Sequence, residues 1–398
     1  MNKKFIAQRM ERIAPSGIRE YFRLAKSVEK EGQDQIYLAI GRPDFDTPGH
    51  IKKAANTALD EGFVHYTDNR GIAELRKKIV KKLKNDNGLE IDPDTELIVT
   101  IGANEALASS MTALLDPGDE VIVSDPCFPY YLAQIQLPGG VPVKVPRKFE
   151  NNLLLDPKEV KDKITSSTKA ILVNSPHNPT GTVLDREVLE SLAKIAKEED
   201  LIVISDEVYE KIIYEGAKHH SIATFPGMAE RTLTVNAFSK AYSMTGWRMG
   251  YLAGPEFIVG QALKIHQNTI ASACSFGQKG AVAALNNDLS TKSVEEMVEQ
   301  FSDRRKLVLD RLDEMKGVDY VRPHGAFYVF PKLDLDEMGV TCEEFSKHAI
   351  ENYGVVTVPG SIFGKAGESF IRIAYSNSYE KIDKGLDRLE NCIDSLLE

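Results

Sequence analysis

RTLTVNAFSKAYSMTGWRMGYLAG, residues 231–254, reads as two apolar strands, RTLTVN (231–236) and MGYLAG (249–254), around a polar turn that carries Lys240 and Arg248. Working outward, the same signature recurs in ELIVT (96–100), DEVIVS (119–124), KAILVN (169–174) and LIVISD (201–206). Runs rich in Val, Ile and Leu with no polar alternation are those of strands covered on both faces. Helical patterns fit between them. In LDREVLESLAKIAKEED (184–200) apolar residues recur at helical spacing, and Asp185 stands where an N-cap belongs. This alternation over residues 50–290 predicts an α/β fold, an open parallel sheet flanked by helices. After about residue 290 the pattern changes to a long charged helix, VEEMVEQFSDRRKLVLDRLDEM (294–315), followed by GAFYVFPKL, a helix near 342–352, GVVTVPG and ESFIRIAYS. That is a smaller α+β unit. The expected division is an N-terminal arm and part of the small domain over 1–45, a large domain over 46–290 and a small C-terminal domain over 291–398.

Composition narrows the function classes. The 398 residues are two to three times a common domain, so a large core leaves room for a second unit. With 42% hydrophobic and 27% charged residues the chain fits a soluble globular protein, and no apolar run approaches the roughly 20 residues that span a bilayer. The opening MNKKFIAQRMERIAPSGIREYF is basic like a signal peptide, but charges break every apolar stretch. It is expected to form an amphipathic arm lying on the body or on a partner subunit. A formal net charge of -10 argues against nucleic acid as a partner. Cys127, Cys274, Cys342 and Cys392 form no CxxC pair, which points to buried thiols in a reducing cytoplasm rather than to zinc or disulfides. His65, His177, His219, His220 and His324 lack metal-ligand spacing and are expected at surface or supporting positions. No GxGxxG follows an early strand, against a nicotinamide dehydrogenase.

The residues with chemistry cluster at strand ends, where open α/β sheets bind ligands. Lys240 offers an amine just after one strand. Asp206 closes another, LIVISDEVYE, and a carboxylate at a buried strand end needs a partner to offset its desolvation. Tyr209 follows one helical turn on. NSPHNPTG (174–181) begins where KAILV ends, and its Pro176 and Pro179 would fix a loop around Asn178. TIGANEALASSMTALL (100–115) passes from strand through a glycine into a helix, which aims the amides of Ala103 and Asn104 at an anion. PCFPYY (126–131) offers Phe128 as a stacking face, and Arg248 offers a planar fork of donors for a phosphate. Each feature alone has an ordinary explanation: a cap for Asp206, a surface ion pair for Arg248, a core role for Phe128. Together, an amine, a phosphate-binding cation and a carboxylate for a ring nitrogen are what a pyridoxal phosphate enzyme requires.

The same segments resemble the class I, fold type I aminotransferases over almost the whole chain. IGRPDFDTP (40–48), HYTDNRGIAELR (65–76), GANEAL, NSPHNPTG, SDEVYE, SKAYSMTGWRMG, GAFYVFP and FIRIAYS stand in that family's order. The branch resembled includes archaeal and thermophilic aspartate and aromatic aminotransferases. The resemblance implies a mostly parallel, seven-stranded-type sheet, a pyridoxal phosphate cofactor and a homodimer with shared active sites. It assigns the cofactor's aldehyde to Lys240, its ring nitrogen to Asp206, and its phenolic oxygen to Asn178 and Tyr209. The phosphate falls to Ala103, Asn104, Ser239 and Arg248, with Tyr66 contributed by the neighbouring subunit, while Phe128 stacks on the ring. Arg372 would grip the substrate α-carboxylate, with the Gly41 amide on its other side. The implied reaction moves an amino group between an L-amino acid, aromatic or aspartate, and a 2-oxo acid, with glutamate and 2-oxoglutarate as partner pair. A β C–S lyase of the same fold is the alternative. Two positions depart from the pattern: Ala237 stands where many relatives have glycine or serine, and Asn104 where aspartate-specific members have lysine.

Overall fold

Seven strands build one central sheet: β1 (Leu97–Thr100), β2 (Glu120–Asp125), β3 (Val141–Pro146), β4 (Thr168–Asn174), β5 (Ile202–Asp206), β6 (Thr232–Ala237) and β7 (Gly250–Ala253). They lie in a computed structural model that describes residues 5–15, 17–286 and 288–398; Met1–Lys4 at the tip of the expected arm, Ser16 and Asn287 lie outside the described residues. The spatial order is β1-β7-β6-β5-β4-β2-β3. Neighbours from β6 to β3 run parallel, whereas β7 is antiparallel to both β6 and β1.

Successive residues of one strand enter cores on opposite faces, which explains the uninterrupted apolar runs. Val121, Leu172 and Ile204 pack with Leu107, Met111 and Ile258 of helices Gly102–Leu114 and Glu256–Thr269. Their neighbours Ile122, Ile171 and Val203 pack with Leu189 and Leu192 of helix Arg186–Glu198. These inner strands therefore bury both sides and show no period of two. Asp185 caps that last helix, its side chain accepting from the Val188 amide at 2.8 Å.

Beyond the sheet, the long helix Asp288–Leu312 and helix Tyr379–Leu397 share a core with the short strand Tyr328–Val329, which pairs with Ile371–Ala374 and through it with Val358–Pro359. Ile36 and Leu38 enter the same core, and Ile36–Tyr37 pairs in parallel with Val355–Val356. The N-terminal stretch thus packs with the C-terminal third of the chain. Helix Gly17–Lys30 buries Tyr21 and Ala25 against Val356 and Val358. Of the four free cysteines, three are buried and Cys274 is half-buried. Among the described residues no helix is long and apolar enough to cross a membrane.

Candidate active site

The carboxyl ends of β4, β5 and β6 converge on one cavity. In the β4–β5 register Asn174 faces Asp206, and the Asn174 side chain both donates to the Asp206 carbonyl at 3.0 Å and accepts from the Asn178 amide at 3.0 Å. One residue ties the NSPHNPTG loop to the acid-bearing strand. β6 ends at Ala237, and a single helical turn, Phe238–Ala241, carries Ser239 and Lys240 into the cavity. The cavity measures about 280 Å³. Its wall holds Gly41, Ala103, Asn104, Phe128, Asn178, Asp206, Tyr209, Ser239, Lys240, Arg248 and Arg372, which is every residue the sequence nominated except Tyr66. Tyr66 is 91% exposed and stays outside this chain's own cavity.

One end of the cavity brings a helix N-terminus and a guanidinium together. Helix Gly102–Leu114 begins beside Arg248, whose guanidinium donates to the carbonyls of Thr245 at 3.2 Å and Ile101 at 3.4 Å. Gly102 sits at φ +72°, and a side chain there would meet Arg248 Nη2 at 2.5 Å. Only glycine leaves the guanidinium its place beside the helix N-terminus. Elsewhere Asp206 is buried, with the Tyr131 hydroxyl donating to Oδ2 at 2.6 Å and the Val208 amide to Oδ1 at 3.2 Å. Burial pushes its carboxyl up to about 6, against the lowering effect of those two hydrogen bonds. Asp206 therefore closes the turn after its strand as well as facing the cavity.

Lys240 donates to the Gly41 carbonyl at 2.6 Å and stands 5.5 Å from the centres of the Tyr209 and Phe327 rings. Burial first, then the positive charge of Arg372, push its amine down to about 7 against the pull of Asp206. It is poised to gain or lose a proton near neutrality. Arg372 is buried over the Tyr328 ring; it donates to Asn178 Oδ1 at 3.0 Å and to the Ala39 carbonyl at 2.8 Å, while its Nε–H has no partner among the described residues. A buried donor left open is the mark of a site that expects an acceptor. Gly41 leaves the space: a side chain there would come within 2.7 Å of the Tyr328 hydroxyl.

Several contributors escaped the sequence. Tyr131 lies in the quoted PCFPYY but is bonded to Asp206, 75 positions away. Tyr328, in GAFYVFP, shares a 2.9 Å hydrogen bond with Tyr209. Behind Asp206 and Tyr209, Glu207 accepts from Ser205, Ser221, His219 and Asn87, and Glu210 from Lys82, Asn87 and Asn236. Burial raises the Glu210 carboxyl, yet the charges of Lys82 and His219 and the hydrogen bonds hold it down to about 2. This network anchors the turn that aims Asp206 and Tyr209. His219 is thus a supporting residue, bonded to Glu207 at 3.0 Å. His177 is fully buried between Ser124 at 3.2 Å and Thr180 at 2.8 Å, and it does not line the cavity.

The family model "Aminotransferase class I and II" matches residues 33–389. The chain belongs to that family. It is a transaminase, an enzyme that exchanges amino groups between amino and oxo acids. Among similar proteins are the aspartate aminotransferase of Pyrococcus abyssi, 46% identical over 98% of each chain, and an aromatic-amino-acid aminotransferase of Thermococcus litoralis, 43% identical over 98% of each chain. A solved aromatic aminotransferase from Pyrococcus horikoshii superposes with a TM-score of 0.89 at 45% identity, covering 93% of this chain and 99% of its own.

Proposed function

We propose that this transaminase uses pyridoxal 5'-phosphate to move an amino group between an aromatic amino acid or aspartate and a 2-oxo acid, with glutamate and 2-oxoglutarate as the partner pair. The observation that carries it is the joint placement of Lys240, Asp206, Arg248 and Arg372 on one cavity wall. The donor set fits the cofactor: Arg248, Ser239 and the amides of Ala103 and Asn104 would hold the phosphate, Phe128 would stack on the ring, and Asn178 and Tyr209 would reach its phenolic oxygen. Asp206, with its carboxylate oriented by Tyr131, would bond the ring nitrogen. When bound, pyridoxal phosphate supplies an aldehyde for amino groups and a cationic ring that draws electron density from the substrate Cα.

The remaining chemistry belongs to the chain. Arg372 binds the α-carboxylate through the donor it has free, and its rigid fork fixes the substrate's orientation. Lys240 Nζ removes the proton from Cα and returns it on the other side of the exchange; an amine near 7 suits both directions. Asp206 holds the positive charge of the ring nitrogen in place. Ile18 and Phe22 line the same cavity and would help to exclude water from it.

The oligomer we propose is a homodimer with shared active sites, supported by an exposed Tyr66 that a neighbouring subunit would receive. A large cofactor-binding domain over 46–290, a small domain over 291–398 and an N-terminal arm over 1–45 that joins the small one agree with the packing of Ile36 and Leu38. A cytoplasmic location suits the four free thiols.

The test is to mix the protein, saturated with pyridoxal phosphate, with single amino acids and follow the cofactor's visible absorbance together with 2-oxo acid release. Lys240→Ala should lose the absorbance change and turnover. Asp206→Asn should keep binding and lose at least about 100-fold in rate, since a buried charge opposite developing charge is worth that much. Normal turnover in either variant contradicts its role. Pyruvate and ammonia from a β-substituted amino acid, with no 2-oxo acid acceptor, would point to the lyase instead.

A further inference from the structure

We infer that Arg42 receives a second, distal anionic group of the substrate, so that dicarboxylic amino acids are taken beside aromatic ones. This rests on the substrate site proposed above and names its substrate class. Among the described residues four cations line the cavity: Arg42, Lys240, Arg248 and Arg372. Three are engaged, Lys240 by the Gly41 carbonyl, Arg248 by Thr245 and Ile101, and Arg372 by Asn178 and Ala39. Arg42 is exposed and has no hydrogen bond or ion pair with any described residue.

Its position is the outer end of the site. Arg42 and Thr245 line both this cavity and a neighbouring one of about 610 Å³, and so form the wall between them. Its chain neighbour Gly41 lies beside Arg372, where a side chain would come within 3.8 Å of Nη2. Arg42 therefore flanks the place of the α-carboxylate, on a stem long enough to carry its guanidinium several ångströms out. A carboxylate at the tip of a substrate side chain meets a planar fork of donors there, a charge-assisted bidentate pair. Asn104, also on the wall, is neutral and supplies no charge. Ile18, Phe22 and Phe128 line the same cavity and offer an aromatic side chain its apolar contact. The wall thus carries one surface for each substrate class.

The experiment compares glutamate with phenylalanine in the amino-donor half-reaction of the cofactor-loaded protein, for the wild type, Arg42→Gln and Arg42→Lys. Loss of a charge-assisted pair should lower the glutamate-to-phenylalanine ratio of kcat/KM roughly 10- to 100-fold in Arg42→Gln. The change should fall on the half-saturating concentration of glutamate rather than on its limiting rate, and Arg42→Lys should recover part of it. Calorimetry gives a second readout without turnover: succinate should lose affinity relative to propionate in Arg42→Gln. An unchanged ratio in these assays overturns the assignment, as does a wild type that converts phenylalanine but no dicarboxylic amino acid. A wild type that converts no amino acid would instead sink the substrate site itself, and Arg42's role with it.

Discussion

The Lys240 amine should be a nucleophile at neutral pH before any cofactor is bound. Burial, and next the charge of Arg372, bring it from the ordinary 10.5 down to about 7. At pH 7 about half of the molecules then carry a free amine, where a lysine titrating at its ordinary value would offer roughly three in ten thousand. The site therefore makes the nucleophile available roughly a thousandfold more often. Only the neutral amine attacks an aldehyde, and its folded-state value is depressed, so reactivity should rise through pH 7 and level off above about 8. Cofactor-free protein mixed rapidly with pyridoxal, which lacks the phosphate and so isolates the amine, would measure this against a Lys240→Ala blank. Arg372→Leu removes the second-largest of the three lowering causes, the smallest being the charge of Arg248, and the midpoint should move to higher pH. A rate that climbs tenfold per pH unit up to pH 10 would refute the reasoning. So would a midpoint that stays put in Arg372→Leu, since the Coulombic part of the argument would then be empty.

Three further outcomes follow from particular contacts. Tyr131→Phe removes a hydrogen bond that lowers the Asp206 carboxyl, so its infrared titration, isolated by subtracting Asp206→Asn, should move to higher pH than in the wild type; an unmoved midpoint would deny Tyr131 that part. Gly102→Ala places a side chain at positive φ and 2.5 Å from Arg248 Nη2, so stability should fall by about 1–2 kcal/mol in urea unfolding and the dissociation constant for pyridoxal phosphate should rise at least about tenfold. Unchanged cofactor affinity would remove Arg248 from the phosphate site. Chains carrying Tyr66→Phe and Lys240→Ala, unfolded together and refolded, should exceed the summed activity of the two alone, because one mixed-dimer site receives both native residues; activity no higher than the sum would argue against a shared site.

How far the sequence could be read depends on which physical constraint each part obeys. Lys240, Asp206 and Asn178 were legible because chemistry at strand ends forces unusual residues next to apolar runs, whereas Arg372 was named only through the family resemblance; eleven of the twelve nominated residues line one cavity. β3 was not legible. Its VPVKVP carries two prolines and exposes Val141 and Lys144, which an edge strand tolerates, so its three valines never form the uninterrupted apolar run of the covered strands it continues. The reversed direction of β7 was equally hidden: a strand buried on both faces is apolar throughout whichever way it runs, and only pairing, Thr234 with Ala253 and Ala237 with Gly250, distinguishes the two. The supporting shell was hidden for a third reason. Tyr131 with Asp206, Asn87 with Glu207 and Tyr209 with Tyr328 are separated by 75 to 120 positions, and no local pattern marks a partner at that distance. Local sequence thus nominates the candidate groups, whereas the protonation of Lys240 and Asp206 depends first on burial and then on long-range neighbours that become visible only once the chain is folded.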